Sequence, residues 1–268
     1  MSRSPFQSGD PDTFFSGESH REAMAGLAYF ASSNWKLALL TGPRRCGTTE
    51  LLKHVVQMQG LGGAAIDAIL TSGGPSGPES LFATLRRAMG FRNESGEPKR
   101  DVETAIRESD RHGLRTVWMI DPCDINLVAI ASDMAQRHRN LSVVMTGHSN
   151  ERTTLSLAAG MCCMRIDMQP LSLSEVNDFL RHGMKGSGGT SLEFSENATV
   201  RLHELTDGIV GDLALAAESS LMLAANHSLQ QVTPDVVEAT MEIAHLWRGD
   251  DSSRSNSGEE VPRRRRSA

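Results

Sequence analysis

No stretch of the 268 residues approaches the roughly 18–20 consecutive apolar side chains that cross a bilayer, so no transmembrane segment is expected. The opening MSRSPFQSGDPDTFF has no apolar core of signal-peptide length. The four cysteines, Cys46, Cys123, Cys162 and Cys163, form no C-x-x-C pair, which speaks against a zinc site and against a disulfide framework. They read as reduced thiols, the state expected of a cytoplasmic protein. The nine histidines never fall into H-x-x-x-H or H-E-x-x-H, so no histidine metal centre is indicated. A serine elbow G-x-S-x-G is also absent; T-G-H-S-N comes nearest and lacks the second glycine, leaving Ser-triad hydrolysis unsupported. No internal repeat is seen. The formal net charge of −6 gives the chain no overall attraction for nucleic acid.

What is present is an ordinary globular composition, 39% hydrophobic and 22% charged, long enough for one large domain or two modest ones. Residues 1–18 are rich in Ser, Pro, Asp and Gly and read as an extended lead-in. Ser19 is placed to cap a helix starting at His20, with Glu22 completing a capping box. Met24, Leu27, Ala28 and Phe30–Ala31 then recur at helical spacing. A strand is expected at Leu37–Leu40, a helix over Thr49–Met58, a strand in AAIDAIL, and helices over Glu79–Met89 and Asp101–His112. The run TVWMI, Thr116–Ile120, is apolar throughout and ends at Asp121, as a buried parallel strand does. A helix over Asn126–Arg137 and strands at Leu141–Met145 and Met164–Met168 complete an alternation that predicts a parallel, doubly wound α/β sheet.

After Gln169-Pro170 the pattern turns helical, over Ser174–His182, Ser195–Leu205, Gly211–Ala225 and Pro234–Leu246, with no further strand evident. The expected organisation is therefore an α/β domain over 19–169, a helical domain over 170–247, and a disordered tail over 248–268. Gly186–Gly189 reads as a flexible connection. The tail carries Arg263–Arg266, which would suit nucleic acid or an anionic membrane surface; a solvated end beside Glu259 and Glu260 is the plainer interpretation.

The chemistry is concentrated in Gly42-Pro43-Arg44-Arg45-Cys46-Gly47-Thr48-Thr49, between a predicted strand and a predicted helix. Its spacing is that of a phosphate-binding loop, G-x-x-x-x-G-K-[ST], in which backbone N–H groups cradle phosphate. Gly42 and Gly47 keep the end glycines, and Thr49 holds the hydroxyl position that binds Mg²⁺. Thr48 stands where the lysine belongs. Arg45 stands where glycine is usual, and either crowds the cradle or, with Arg44, supplies the missing charge. Asp121 is placed to hold Mg²⁺ through water, or else to close a strand beside Pro122.

The order of these segments resembles the AAA+ ATPases of the ExeA type, the general secretion pathway protein A group, with relatives among transposition ATPases. The resemblance is carried by PFQSGDPDTFFSGESHREAMAGLAYF, LALLTGPRRCGTTELLKHV, TVWMIDPCDI, LSVVMTGHSN, MQPLSLSEVNDFLRHGM and LHELTDGIVGDLALAAESSLMLA, then VTPDVVEAT. It implies a P-loop NTPase (AAA+-like) parallel sheet sandwiched by helices and followed by a small all-α lid. It also implies ATP and Mg²⁺ as ligands, bound weakly or not at all, because the catalytic positions depart from the family. Thr48 replaces the Walker A lysine, and Pro122 the Walker B glutamate that activates water. The sensor-2 arginine falls at Gly211, next to the acidic Asp212. The arginine-finger position falls near Met161 and Cys162, with Arg165 close by, and His148 or Asn150 is the sensor-1 candidate.

A finger alone is worth roughly 10³–10⁵ in phosphoryl transfer, so several such losses together argue against fast turnover even though they need not multiply. Three functions follow as expectations. The first is a degenerate, weakly binding or non-hydrolysing protein that regulates or scaffolds a related ATPase or a secretion or envelope component, as a homo- or hetero-oligomer. The second is an unconventional ATPase using Arg44 or Arg45, with Asp124 positioning water. The third is a DNA-associated transposition-type subunit.

Overall fold

The computed structural model describes residues 6, 14–58, 60–73, 78–91, 96–160, 162–186 and 192–242. The expectations for most of the lead-in, for Met161, for the 187–189 connection, for residues 243–247 and for the Arg263–Arg266 tail lie outside the described residues.

Sixteen elements follow one another: α1 (Glu18–Ser32), β1 (Leu37–Gly42), α2 (Thr48–Gln57), β2 (Ile66–Gly73), α3 (Pro78–Ala88), α4 (Pro98–Arg111), β3 (Arg115–Cys123), α5 (Ile125–Arg137), β4 (Leu141–His148), α6 (Arg152–Ala158), β5 (Met164–Asp167), α7 (Leu173–Gly186), β6 (Glu193–Phe194), α8 (Glu196–Thr206), α9 (Val210–Asn226) and β7 (Gln231–Val232). Residues 234–242 form a further helix. The main sheet has the order β2-β3-β4-β1-β5, and every pairing in it is parallel.

The apolar runs become central strands because both of their faces are covered. In β1, Leu37 and Leu39 enter one core cluster while Ala38 and Leu40 enter the other. In β3, Trp118 and Ile120 face the first and Val117 and Met119 the second. This is the two-residue alternation of a strand, with hydrophobic residues on both sides of the pleat. The first cluster is closed by α3, α4 and α5, and the second by α1 and α2. A third cluster, with Leu171, Val176, Leu202, Leu213, Ala217 and Val237 at its centre, belongs to the helical part after β5.

The strands run past their apolar stretches. The β1–β4 ladder continues to Gly42 opposite His148, and β3 continues to Cys123 opposite Gly73. Backbone pairing does not need apolar side chains, so Thr41, Asp121, Thr146 and His148 lie in the strand ends themselves. The chain winds from β1 out to β2 and back to β4, then crosses β1 to reach β5. The carboxyl ends of β1, β3 and β4 therefore meet where the winding reverses, the usual place for a site in an open α/β sheet.

Three local expectations are corrected. Helix α1 starts at Glu18 with Gly17 as its N-cap and no side-chain cap. Ser19 is buried in the first turn instead, where its hydroxyl accepts the Gln169 N–H at 2.6 Å and ties α1 to the segment after β5. A short parallel pair, β6 with β7, exists in the helical part; two-residue strands carry no readable alternation. Helix α6 was not anticipated, and its seven residues are too few to show a helical stripe. Among the described residues no helix is long and apolar enough to cross a membrane.

Candidate nucleotide-type site at the strand ends

The loop from Pro43 to Gly47 leaves β1 and turns into α2. Its end glycines have packing reasons as well as motif reasons. A Cβ on Gly42 would fall 2.5 Å from Cys46 Sγ. Gly47 has φ 93° and caps α2, and a Cβ there would lie 2.7 Å from His20 Nε2. Arg45 takes the left-handed conformation at φ 64°, where glycine would be at ease and a side chain is strained.

Thr48, in the lysine position, turns its hydroxyl to sulfur: 3.2 Å to Cys46 Sγ and 3.6 Å to Met168 Sδ. Thr49 instead donates to Asp121 Oδ2 at 2.6 Å. The other oxygen of Asp121 accepts the Thr146 hydroxyl, also at 2.6 Å. Both carboxylate oxygens are thus oriented by threonines from two different elements. A carboxylate and a hydroxyl side by side are hard oxygen donors of the kind Mg²⁺ takes. Among the described residues no group of three or more His, Cys, Asp or Glu side chains could hold a metal by itself.

These groups form one wall of a 670 Å³ cavity. Phe14 and His54 stack at 4.5 Å on another wall, and Phe6 stacks on Phe179 at 5.3 Å nearby. His20 and His54, both in the lining, each hold a buried Nδ1 without a hydrogen-bond partner. Burial pushes the His20 imidazole below its ordinary value, against the nearby Glu175 charge and a hydrogen bond to the Cys46 backbone.

Helix α9 of the helical part closes the cavity with Val210, Gly211, Ala214, Leu215 and Glu218. Arg45 crosses to it. Its carbonyl accepts the Gly211 N–H at 2.8 Å, its Nη2 donates to the Gly211 carbonyl at 2.7 Å, and its Nη1 pairs with Asp212 Oδ1 at 3.1 Å.

The sequence-derived candidates sort as follows. Gly42, Pro43, Arg45, Cys46, Gly47, Thr48, Thr49, Asp121 and His148 all line the cavity. Arg44 is not in the lining; it is exposed and donates from Nε to His148 Nε2 at 3.2 Å. Asn150 lies in the turn after β4, exposed and away from the cavity. Asp124 is corrected as a water-positioning carboxylate: it caps α5 by accepting the Asn126 N–H at 2.8 Å and is not in the lining. Arg165 donates to Ser156 at 3.1 Å, and Cys162 is exposed just before β5. Lys53 lines the cavity but pairs with Glu50 at 2.8 Å.

Thr146 was missed by sequence reasoning. The only signal is one polar residue in the apolar run VVMTGH, four residues before Asn150. The aromatic wall was missed for another reason: Phe14, His20, His54 and Phe179 come from three helices and a lead-in, and no spacing links them.

The sheet order, the loop after β1, the acidic residue near the end of β3 and the helical part over the loop together define a P-loop fold of the AAA+ type. Known structures agree on the fold. The ORC2 protein of Aeropyrum pernix, in its ADPNP–ADP complexes, superposes with a TM-score of 0.63 at 9% identity, over 90% of this chain and 71% of that one. Drosophila ORC bound to DNA gives a TM-score of 0.60 at 12% identity, over 89% of this chain and 63% of the other. The Thermotoga maritima RuvB Holliday junction branch migration motor gives 0.54 at 13% identity, over 84% and 68%. No family model matches the chain, and no curated protein matches it in sequence.

Proposed function

We infer that this chain is a AAA+-like protein of the ExeA type whose nucleotide site is degenerate, and that it works as a regulatory or scaffolding subunit. The observation that carries this is the position of Thr48: its hydroxyl is engaged by Cys46 and Met168, and it brings no cation to the loop. The cations nearby are occupied elsewhere, Arg45 by the α9 end, Arg44 by His148 and Lys53 by Glu50. Pro122 adds no group able to orient water after Asp121.

The residues present suit part of a nucleotide. Thr49 and Asp121 fit a magnesium ion shared with phosphate, and the aromatic side chains of Phe14 and Phe179 in the lining fit a flat ring. When bound, Mg²⁺ would neutralise phosphate charge at that pair. What the chain itself supplies is orientation of the Asp121 carboxylate by Thr49 and Thr146, the loop N–H groups, and an apolar wall that excludes water. Those loop amides and the α2 N-terminus do not depend on a lysine, which is why weak binding survives in this reading. A partner ATPase or a secretion component is the proposed client.

The test is calorimetric titration with Mg·ADP and Mg·ATP, together with ATP turnover, on the wild type beside Thr48→Lys. Weak binding by the wild type and tighter binding by the variant are expected. Tight binding by the wild type with turnover of about 1 s⁻¹, the low end for working phosphoryl-transfer enzymes, would overturn the proposal in favour of an unconventional ATPase.

A further inference from the structure

The three contacts between Arg45 and the start of α9 come from one residue. They use its backbone and both ends of its guanidinium fork. Gly211 lies in the first turn of α9, where helix N–H groups have no partner within the helix, and the Arg45 carbonyl supplies one. Asp212 stands in the same turn, where the helix dipole favours a carboxylate. Gly211 also has to be glycine for this approach: a Cβ there would fall 2.9 Å from Arg45 Cβ and 3.0 Å from its carbonyl oxygen. The left-handed backbone of Arg45 is held in place by these contacts. A loop arginine, a glycine and an acid thus make one fitted unit across the cavity mouth.

We propose that the Asp212 carboxylate is a built-in competitor for the loop. It occupies the Arg45 guanidinium and holds α9 against the loop until an anionic ligand of the phosphate class displaces it. The chemistry is that of any arginine offered two anions: the fork that binds a carboxylate also binds phosphate. Both partners are partly open to solvent, with the side chains of Arg45 and Asp212 47% and 21% exposed. Such a pair is weak enough to exchange, because solvent-accessible ion pairs contribute little. Ligand binding would then loosen the helical part. The competition rests on the cavity taking a phosphate-bearing ligand, as proposed above; the contact itself does not.

The experiment uses the full chain and the variants Asp212→Asn, Arg45→Ala and the double variant. Hydrogen exchange of peptides covering 209–221 is followed without ligand, and binding of Mg·ADP and of inorganic pyrophosphate with Mg²⁺ is titrated. Exchange at the start of α9 should rise in both single variants. Affinity should move in opposite directions: tighter by about three- to fivefold in Asp212→Asn, the most an exposed ion pair is expected to mask, and weaker in Arg45→Ala and in the double variant. Should Arg45→Ala fail to fold, Arg45→Gln takes its place. Unchanged exchange in both single variants overturns the proposal, and so do affinity changes of the same sign. Faster exchange with no binding of either probe by any of the proteins overturns the competition and the ligand reading together, leaving a purely structural contact. Binding with unchanged exchange leaves the ligand reading intact and removes only the competitor.

Discussion

Thr49 and Asp121 are 72 residues apart in the chain, and their side chains meet at 2.6 Å. Thr146 reaches the same carboxylate from β4 at the same distance. Helix α2 and strand β4 therefore converge on one acid carried by β3, beside a loop that has Thr48 where the phosphate-loop motif has lysine.

Removing the Thr146 hydroxyl should be felt in stability. Thr146 is buried and its partner is charged, so Thr146→Val should cost about 1.5–3 kcal/mol, the range for a hydrogen bond to a charged group. Thr146→Ser keeps the donor and should recover most of it. Urea denaturation measures both, and a loss in Thr146→Ser with none in Thr146→Val would mean the methyl group matters instead.

Two glycines at positive φ separate strain from collision. Gly47 has φ 93° and its added Cβ would meet His20 at 2.7 Å; Gly113 has φ 70° and open space around it. Each alanine substitution should destabilise through the backbone, by more than about 1 kcal/mol. Gly47→Ala should lose more, because His20 is buried and has little room to yield. Thermal melting of the pair reads the difference, and equal shifts would contradict the His20 contact.

Thiol labelling should distinguish the four cysteines. All are free; Cys162 is exposed, while Cys46, Cys123 and Cys163 are buried. Burial, with Asp124 beside it, pushes the Cys123 thiol up to about 12. In the folded protein at pH 8, a disulfide reagent should modify Cys162 quickly and the others only on unfolding. Prompt labelling of Cys123 would show that its strand end opens readily.

Stability should fall on the acid side in two stages. Burial holds His20 below its ordinary 6.5, so the unfolded chain takes the proton first. The contribution of the neutral ring is intact above pH 6.5 and is lost as pH falls from there toward the folded value. Burial alone would raise Glu175, but hydrogen bonds from Ser172 and Glu18 and the charge of Arg21 bring it below its ordinary 4.5. Its contribution is present above pH 4.5 and disappears as pH drops through the folded value. Melting temperatures should begin to decline near pH 6.5, and His20→Gln should flatten the upper stage. A wild-type curve that is flat from pH 7 to 5 would refute the His20 assignment.

Much of the fold was legible. Runs such as TVWMI and LSVVM became the buried strands β3 and β4, because an element covered on both faces must be apolar along its whole length. The helices emerged for the corresponding reason, with periodic apolar faces against the sheet. The ends were less legible. Polar residues that finish a strand look like loop in sequence, and the key acids and hydroxyls sit on those ends.

The parallel α/β core and a phosphate-type loop between β1 and α2, with Thr48 where the motif has lysine, were readable from the sequence, and Asp121 was offered both as a partner of that loop and as a strand-closing residue. These depend on local pattern and on spacing, which a linear chain displays. Only the tertiary structure decided where Arg45 goes, that Asp124 is a cap, that Thr146 holds Asp121, and that Phe14, His20, His54 and Phe179 share one cavity. Each of those outcomes is a contact between side chains far apart in the chain. Such contacts are selected by packing and by the need to pair buried polar groups, and neither leaves a period in the sequence.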